Sequence, residues 1–364
     1  MNLQEKHILA ALSTVNDPDI KRDLVTLNMI KDIAITDNAI AFTVVLTTPA
    51  CPLKEMIRKD CENAVRKVAG DKVDINIKMT SSVTTLRDNA PLLPGVKNIV
   101  AVASGKGGVG KSTITTNLAV ALAMAGARVG LIDADIYGPS IPVMFNTENE
   151  QPGVKVVNGK NIIVPLEQYG VKLMSIGFLA PSDSAIVWRG PMASSALKQF
   201  ISDAEWGELD YLFIDLPPGT SDIHLTLVQT VPVTGAIIVT TPQKVAIADA
   251  TKGVAMFNQP QINVPVLGVV ENMAYFTPEE LPNNKYYIFG KDGGLNLSKK
   301  FDVPFLGQVP LVQGIRESGD SGLPAVMKDG PAAAAFHELA ETVARQIAIR
   351  NANFVPSRKV EMNA

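Results

Sequence analysis

Nine consecutive residues, Gly105-Lys-Gly-Gly-Val-Gly-Lys-Ser-Thr113, hold four glycines, two lysines and two hydroxyls. Gly105 and Gly110 stand at the Gly-x-x-x-x-Gly-Lys-Ser spacing, completed by Lys111 and Ser112. That combination suits a chain of phosphates. Backbone N–H donors must come close to the ligand, and glycine allows the approach and the positive φ that it requires. Gly105, Lys106, Gly107, Gly108, Val109, Gly110, Lys111, Ser112 and Thr113 are therefore the expected nucleotide cradle. Lys111 is placed to neutralise the β/γ-phosphates, and the Ser112 hydroxyl to ligate Mg²⁺. A glycine-rich turn with no ligand is the plain alternative, and it leaves the two lysines and the Ser-Thr pair unexplained.

Carboxylates come next. Asp133-Ala-Asp135 closes the apolar run Ala127–Ile132, and Asp215 closes Tyr211–Ile214. A rigid strand ending in one carboxylate can hold Mg²⁺ through its water shell, which makes Asp215 the second metal candidate. Asp135 is the candidate to orient the attacking water, with Asp133 supporting Mg²⁺ and the following loop. The competing reading of both is a solvated strand end with a helix cap. Lys111 and Asp135 form the expected catalytic set.

These residues need a frame. The run Ile99–Ala103 precedes the glycine loop and a helical pattern follows at Ile114–Ala125, the strand, loop, helix order of a P-loop. From Lys97 to Phe336 strands and helices alternate, which predicts a mostly parallel, doubly wound α/β sheet covered on both faces. Further strands are expected at Ala236–Pro242 and Val266–Met273, a helix at Gln243–Phe257, a β insertion over 151–165, and an amphipathic helix at Ala332–Asn351. Residues 2 to about 80 read as a small α/β unit with a helix at Leu3–Val15. A hairpin turns at Thr36-Asp37-Asn38, a helix runs to Gly70 and a strand covers Val73–Ile77. The expected organisation is residues 1–85 as a small domain, 86–96 as linker, 97–350 as the nucleotide domain and 351–364 as a disordered tail.

Composition narrows the class. A formal net charge of −3 gives no nucleic-acid footprint. No apolar run approaches the length of a membrane span, and the N-terminus lacks the apolar centre of a signal peptide. The expected setting is cytoplasmic, with no nucleic acid and no membrane as partner. Two cysteines, Cys51 and Cys61, are too few for a disulfide framework. Cys51 precedes a helix start, where the helix dipole favours a thiolate. It reads equally as a metal or cluster ligand, an exchange thiol, or a small residue between two prolines. Cys61, inside a helix, reads as packing. Arg189 in Trp188-Arg-Gly-Pro-Met192 suits a phosphate, a partner or a surface ion pair, and His224 suits a helix cap.

Several stretches resemble known families. Lys106 directly after the first glycine is similar to the deviant Walker A loop of MinD/ParA-type ATPases, and the resemblance implies a lysine that reaches the partner's phosphates in a homodimer across the nucleotide. Asp17-Pro18-Asp19 and Thr47-Thr-Pro-Ala-Cys-Pro52 resemble the MIP18-like domain of iron–sulfur assembly. With GKGGVGKST, DADIYGPS, FIDLPPGTSD and ENMAYF, residues 3 to about 350 resemble the Mrp-type iron–sulfur cluster carrier ATPases. That implies ATP binding, slow Mg²⁺-dependent hydrolysis, adenine recognition by Asn272, and delivery of a cluster, of the [4Fe-4S] kind, to apo-proteins. It also implies that Val309–Val312 closes over the base. One departure stands out. Where that family carries a Cys-x-x-Cys pair, this chain reads Thr277-Pro-Glu-Glu-Leu-Pro-Asn-Asn-Lys-Tyr-Tyr287. Iron–sulfur centres are held by cysteine thiolates, so Cys51 is left as the candidate cluster ligand. The alternative is a nucleotide-switched scaffold or partitioning-type ATPase without a cluster.

Overall fold

The computed structural model describes residues 3–87, 92–179, 190–278, 280–281, 283–356 and 359. Trp188, Arg189, Glu279, part of the 86–96 segment and half of the 351–364 tail lie outside the described residues. The chain divides into two units, one of residues up to Thr84 with Ala344–Phe354, the other of Thr85–Val343 with the residues after Phe354.

In the first unit, α1 (Glu5–Leu12) places Ile8, Ala11 and Leu12 inward at helical spacing. It is shorter than the expected Leu3–Val15, because Ser13 and Thr14 turn their hydroxyls onto Ala10 O and Ala11 O and compete with the helix. β1 (Ile30–Ile35) and β2 (Ala39–Leu46) form the antiparallel hairpin expected at 36–38, closed by Thr36 N donating to Ala39 O. After α2 (Lys54–Ala69), β3 (Asp74–Ser81) returns parallel to β2. Ile8, Leu12, Phe42, Ile57 and Val65 make the core, with Cys61 fully buried among them. Burial pushes the Cys61 thiol up to about 12, so Cys61 behaves as a packing residue.

Cys51 behaves differently from the sequence expectation. Its thiol is raised, first by burial and then by the nearby charges of Asp17 and Asp19, and the Leu53 N–H does not offset them. Desolvation beside two carboxylates overrides the helix dipole. Asp17 Oδ1 accepts from the N–H groups of Asp19 and Ile20 at 2.9 and 2.8 Å, and Asp19 is bidentate to Arg345.

The second unit is built on eight strands. In chain order they and their helices are β4 (Ile99–Ser104), α3 (Lys111–Met124), β5 (Val129–Asp133) and α4 (Ile141–Met144). The exposed hairpin β6 (Gly153–Val157) and β7 (Lys160–Val164) stands apart from the sheet, as the β insertion does in the sequence reading. Then come β8 (Leu166–Gln168), β9 (Val171–Ser175), α5 (Gly190–Ser202), β10 (Tyr211–Asp215) and α6 (Asp222–Thr230). β11 (Gly235–Thr240), α7 (Lys244–Phe257), β12 (Val266–Glu271), α8 (Gly293–Phe301), β13 (Phe305–Gln308), α9 (Gln313–Asp320) and α10 (Pro331–Asn353) complete the chain. The sheet order is β13-β12-β11-β4-β10-β5-β9-β8, parallel throughout except where the edge strand β8 pairs with β9. β4, β5, β10 and β11 are buried along their whole length, as a parallel sheet covered on both faces demands. The mostly parallel sheet is therefore observed. No helix is long and apolar enough to cross a membrane among the described residues.

Strand register fixes the chemistry. Asp215 pairs laterally with Asp133, and Asp133 with Ser175, so three polar residues stand abreast at neighbouring strand ends. This is the carboxyl edge at which open α/β sheets bind ligands.

At the start of α6, His224 Nδ1 accepts from the Ser221 N–H at 3.3 Å. The proton of the neutral ring then sits on Nε2, which is buried without a hydrogen-bond partner among the described residues. Burial holds this imidazole down at about 4, against an ordinary 6.5. The depressed group favours the folded state above pH 6.5, and the contribution is lost as pH falls toward 4. We expect urea unfolding to show a loss on the order of 3 kcal/mol across that window, and His224→Gln to flatten it. An equal slope in both proteins would refute the assignment.

Candidate nucleotide site

The loop between β4 and α3 is shaped by what surrounds its glycines. A Cβ on Gly105 would stand 2.1 Å from the backbone carbon of Asp249 in α7. Gly110 has φ +79°, and a Cβ there would lie 2.3 Å from Asn272 Nδ2. Neither place accepts a side chain. Gly110 then leads directly into α3, whose N-terminus faces the cleft with Lys111 and Ser112 in its first turn.

Asp215 sits beneath this turn with no solvent exposure. Its Oδ2 accepts from Lys111 Nζ at 2.7 Å and from Ser112 Oγ at 2.6 Å, and its Oδ1 from Thr115 Oγ1 at 2.6 Å. Lys111 Nζ also lies 3.4 Å from Asp135 Oδ2. Burial alone would lower the Lys111 ammonium, and the charges of Asp215 and Asp135 reverse that, so it is raised overall and stays charged. Burial raises the Asp135 carboxyl, with Lys111 opposing it.

Asp133 has another task. Its Oδ1 accepts from the Asp135 N–H at 3.1 Å, and its Oδ2 from Ser175 Oγ at 2.9 Å and the Ile141 N–H at 3.3 Å. It pins both ends of the segment from Asp135 to Ile141. Full burial, reinforced by the Asp215 charge, raises its carboxyl.

Lys106, Lys111, Ser112, Thr113 and Asp135 line one cleft of about 240 Å³. Lys106 forms no ion pair with a described residue, and its carbonyl accepts from Ser104 Oγ at 3.0 Å. Beside it opens a larger cavity of about 580 Å³, lined by Thr113, Met144, Asn272, Leu311, Val312 and Arg316 among others. Asn272 follows β12 and donates from Nδ2 to Val109 O at 2.9 Å. One of its two N–H donors thereby serves the glycine loop, and the second N–H and Oδ1 form no side-chain hydrogen bond with a described residue. The oxygen donors Ser112 Oγ and Asp215 Oδ2 suit a hard divalent cation, so the residues present fit Mg²⁺.

Two buried hydroxyls went unread in the sequence. Thr115 lies one helical turn beyond Lys111, an i,i+4 spacing that could have flagged it. Ser175 reaches Asp133 only through the pairing of β5 with β9, which no local pattern reveals. Cys51 belongs to the first unit and lines a narrow cleft there with Asp17, Asp19, Thr48 and Arg345. Among the described residues no group of three or more His, Cys, Asp or Glu side chains is arranged to hold a metal ion.

Residues 95–344 match the family described as NUBPL iron-transfer P-loop NTPase. The chain belongs to that family. Residues 5–77 match the iron–sulfur cluster assembly protein family. The chain is 47% identical over 342 residues to the "Iron-sulfur cluster carrier protein" of Synechocystis sp., covering 94% of this chain and 96% of that one. It is 42% identical over 344 residues to the protein of the same name from Escherichia coli (strain K12), covering 93% and 91%. Among solved structures, it resembles a nucleotide-binding protein from Archaeoglobus fulgidus in complex with ADP, with a TM-score of 0.56 and 38% identity. That likeness covers 65% of this chain and 91% of the other.

In this NTPase, Thr115→Val should leave Asp215 Oδ1 unpaired in the interior. We expect chemical denaturation to show a loss of about 1–3 kcal/mol, restored by Thr115→Ser. Equal stability of wild type and Thr115→Val would remove Thr115 from the site.

Proposed function

We propose that this protein hydrolyses ATP, slowly and with Mg²⁺, as a homodimeric carrier that passes iron–sulfur clusters to apo-proteins in the cytoplasm. The observation that carries the nucleotide half is the convergence of Lys111 and Ser112 on Asp215, at 2.7 and 2.6 Å, beside the glycine loop. The backbone from Gly105 to Thr113 cradles the phosphates. Lys111 exchanges its carboxylate partners for the β/γ-phosphates, and Lys106, which forms no ion pair with a described residue, supplies charge across the dimer. Ser112 and Asp215 hold Mg²⁺, which supplies charge neutralisation on the phosphate oxygens. Asp135, kept in place by Asp133, accepts a hydrogen bond from the attacking water and orients it. Asn272 Oδ1 accepts from the exocyclic amine of adenine in the larger cavity.

The cargo half is supported by the names of the relatives, which cover nearly the whole chain. The Cys-x-x-Cys pair is absent, and of the two cysteines only Cys51 is partly exposed. In this reading each copy of the chain offers one Cys51 thiolate to the cluster, and its raised pKa makes loading favour alkaline pH. The second reading, a nucleotide-switched scaffold without cargo, is favoured by the same shortage of thiols.

Anaerobic reconstitution with iron and sulfide separates the two. The carrier reading expects charge-transfer absorption in wild type and its loss in Cys51→Ser. If wild type stays colourless, the scaffold reading takes its place.

A further inference from the structure

The inner turns of α7 and the start of α8 border a groove of about 450 Å³ that plays no part in the nucleotide site. Its charged lining is of one sign: Lys244, Lys291 and Lys300, with no carboxylate among the lining residues. All three lysines are exposed, and none forms an ion pair with a described residue. Lys291 and Lys300 lie instead over the rings of Tyr287 and Phe301, at 5.0 and 5.4 Å. The floor is apolar, with Ile247, Phe289 and the buried Leu297. One wall is fixed by close packing, since a Cβ on Gly293 would stand 2.6 Å from Pro242 O.

Three ammonium groups without an ion pair to a described residue thus rim one apolar floor. They ask for a ligand with separated negative charges and an apolar centre. A phosphate seated on the N-terminus of α8 fits poorly, because Glu271 Oε2 already accepts from the Gly294 N–H at that end. Glu271, buried behind the groove, disfavours an anion at that end, and the positive charge of the lining comes from the rim lysines. Nucleic acid would place its charge along a continuous basic track, which this groove lacks.

We propose that the groove between α7 and α8 docks an acidic segment of a partner protein, with an apolar side chain on Ile247, Phe289 and Leu297 and carboxylates paired to Lys244, Lys291 and Lys300. The site is independent of the nucleotide assignment. Charge complementarity at such a rim sets specificity and association rate and is weakened by salt.

The test uses the full chain and a fluorescein-labelled peptide carrying a Leu-Phe pair between runs of Glu, followed by fluorescence anisotropy. Saturable binding is expected, weakening as salt rises. The combined variant Lys244→Ala, Lys291→Ala, Lys300→Ala should bind about tenfold more weakly, as three rim ion pairs imply, with an unchanged thermal midpoint. Replacing Leu-Phe by Ser-Ser in the peptide should also weaken binding. Absence of saturable binding by wild type, equal affinity in the variant, or displacement of the peptide by a single-stranded oligonucleotide would each overturn the proposal.

Discussion

A fully buried carboxylate, Asp215, sets the terms for the nucleotide domain. An isolated charge in a protein interior is prohibitively costly, and it persists only where it is paired and hydrogen-bonded. Asp215 meets that requirement through Lys111, Ser112 and Thr115, all from the first turns of α3. One strand end therefore fixes the helix that follows the glycine loop. The loop in turn is held by α7 at Gly105 and by Asn272 at Val109. Each of these contacts tolerates little movement, so the phosphate cradle is shaped by the fold itself.

The second carboxylate, Asp133, is a lateral neighbour of the first. Its two oxygens hold backbone N–H groups at both ends of the segment Asp135–Ile141 and the Ser175 hydroxyl on the next strand. Asp135 thus stands over Lys111 on a tethered segment. Three carboxyl groups, Asp133, Asp135 and Asp215, surround the single Lys111, an oxygen-rich setting that suits a divalent cation.

Much of this was legible in the sequence, for identifiable reasons. The glycine loop announces itself because its chemistry needs fixed residues at fixed spacing. Asp133, Asp135 and Asp215 could be found because a carboxylate ending an apolar run breaks the hydropathy pattern. Thr115 and Ser175 were not found, because a buried hydroxyl inside a helix or strand looks like ordinary packing until its partner is located. Ser175 depends on strand order, a non-local property. Cys51 was read with the wrong sign: the helix start was visible, while the burial and the two aspartates beside the thiol were products of tertiary structure. Asn272 stands out in the sequence as the polar end of an apolar strand, while its hydrogen bond to Val109 O in the glycine loop is a product of tertiary structure.

The nucleotide site lies in the second unit of the chain, and both cysteines, Cys51 and Cys61, lie in the first. Asp215 is the centre of the nucleotide site. Its most direct test is ATP hydrolysis against Mg²⁺ concentration for wild type and Asp215→Asn, with calorimetric Mg²⁺ titration of the ADP-loaded proteins alongside. The account predicts that the substitution raises the half-saturating Mg²⁺ about 10–100-fold and suppresses turnover. Unchanged Mg²⁺ dependence with full turnover in Asp215→Asn would contradict it.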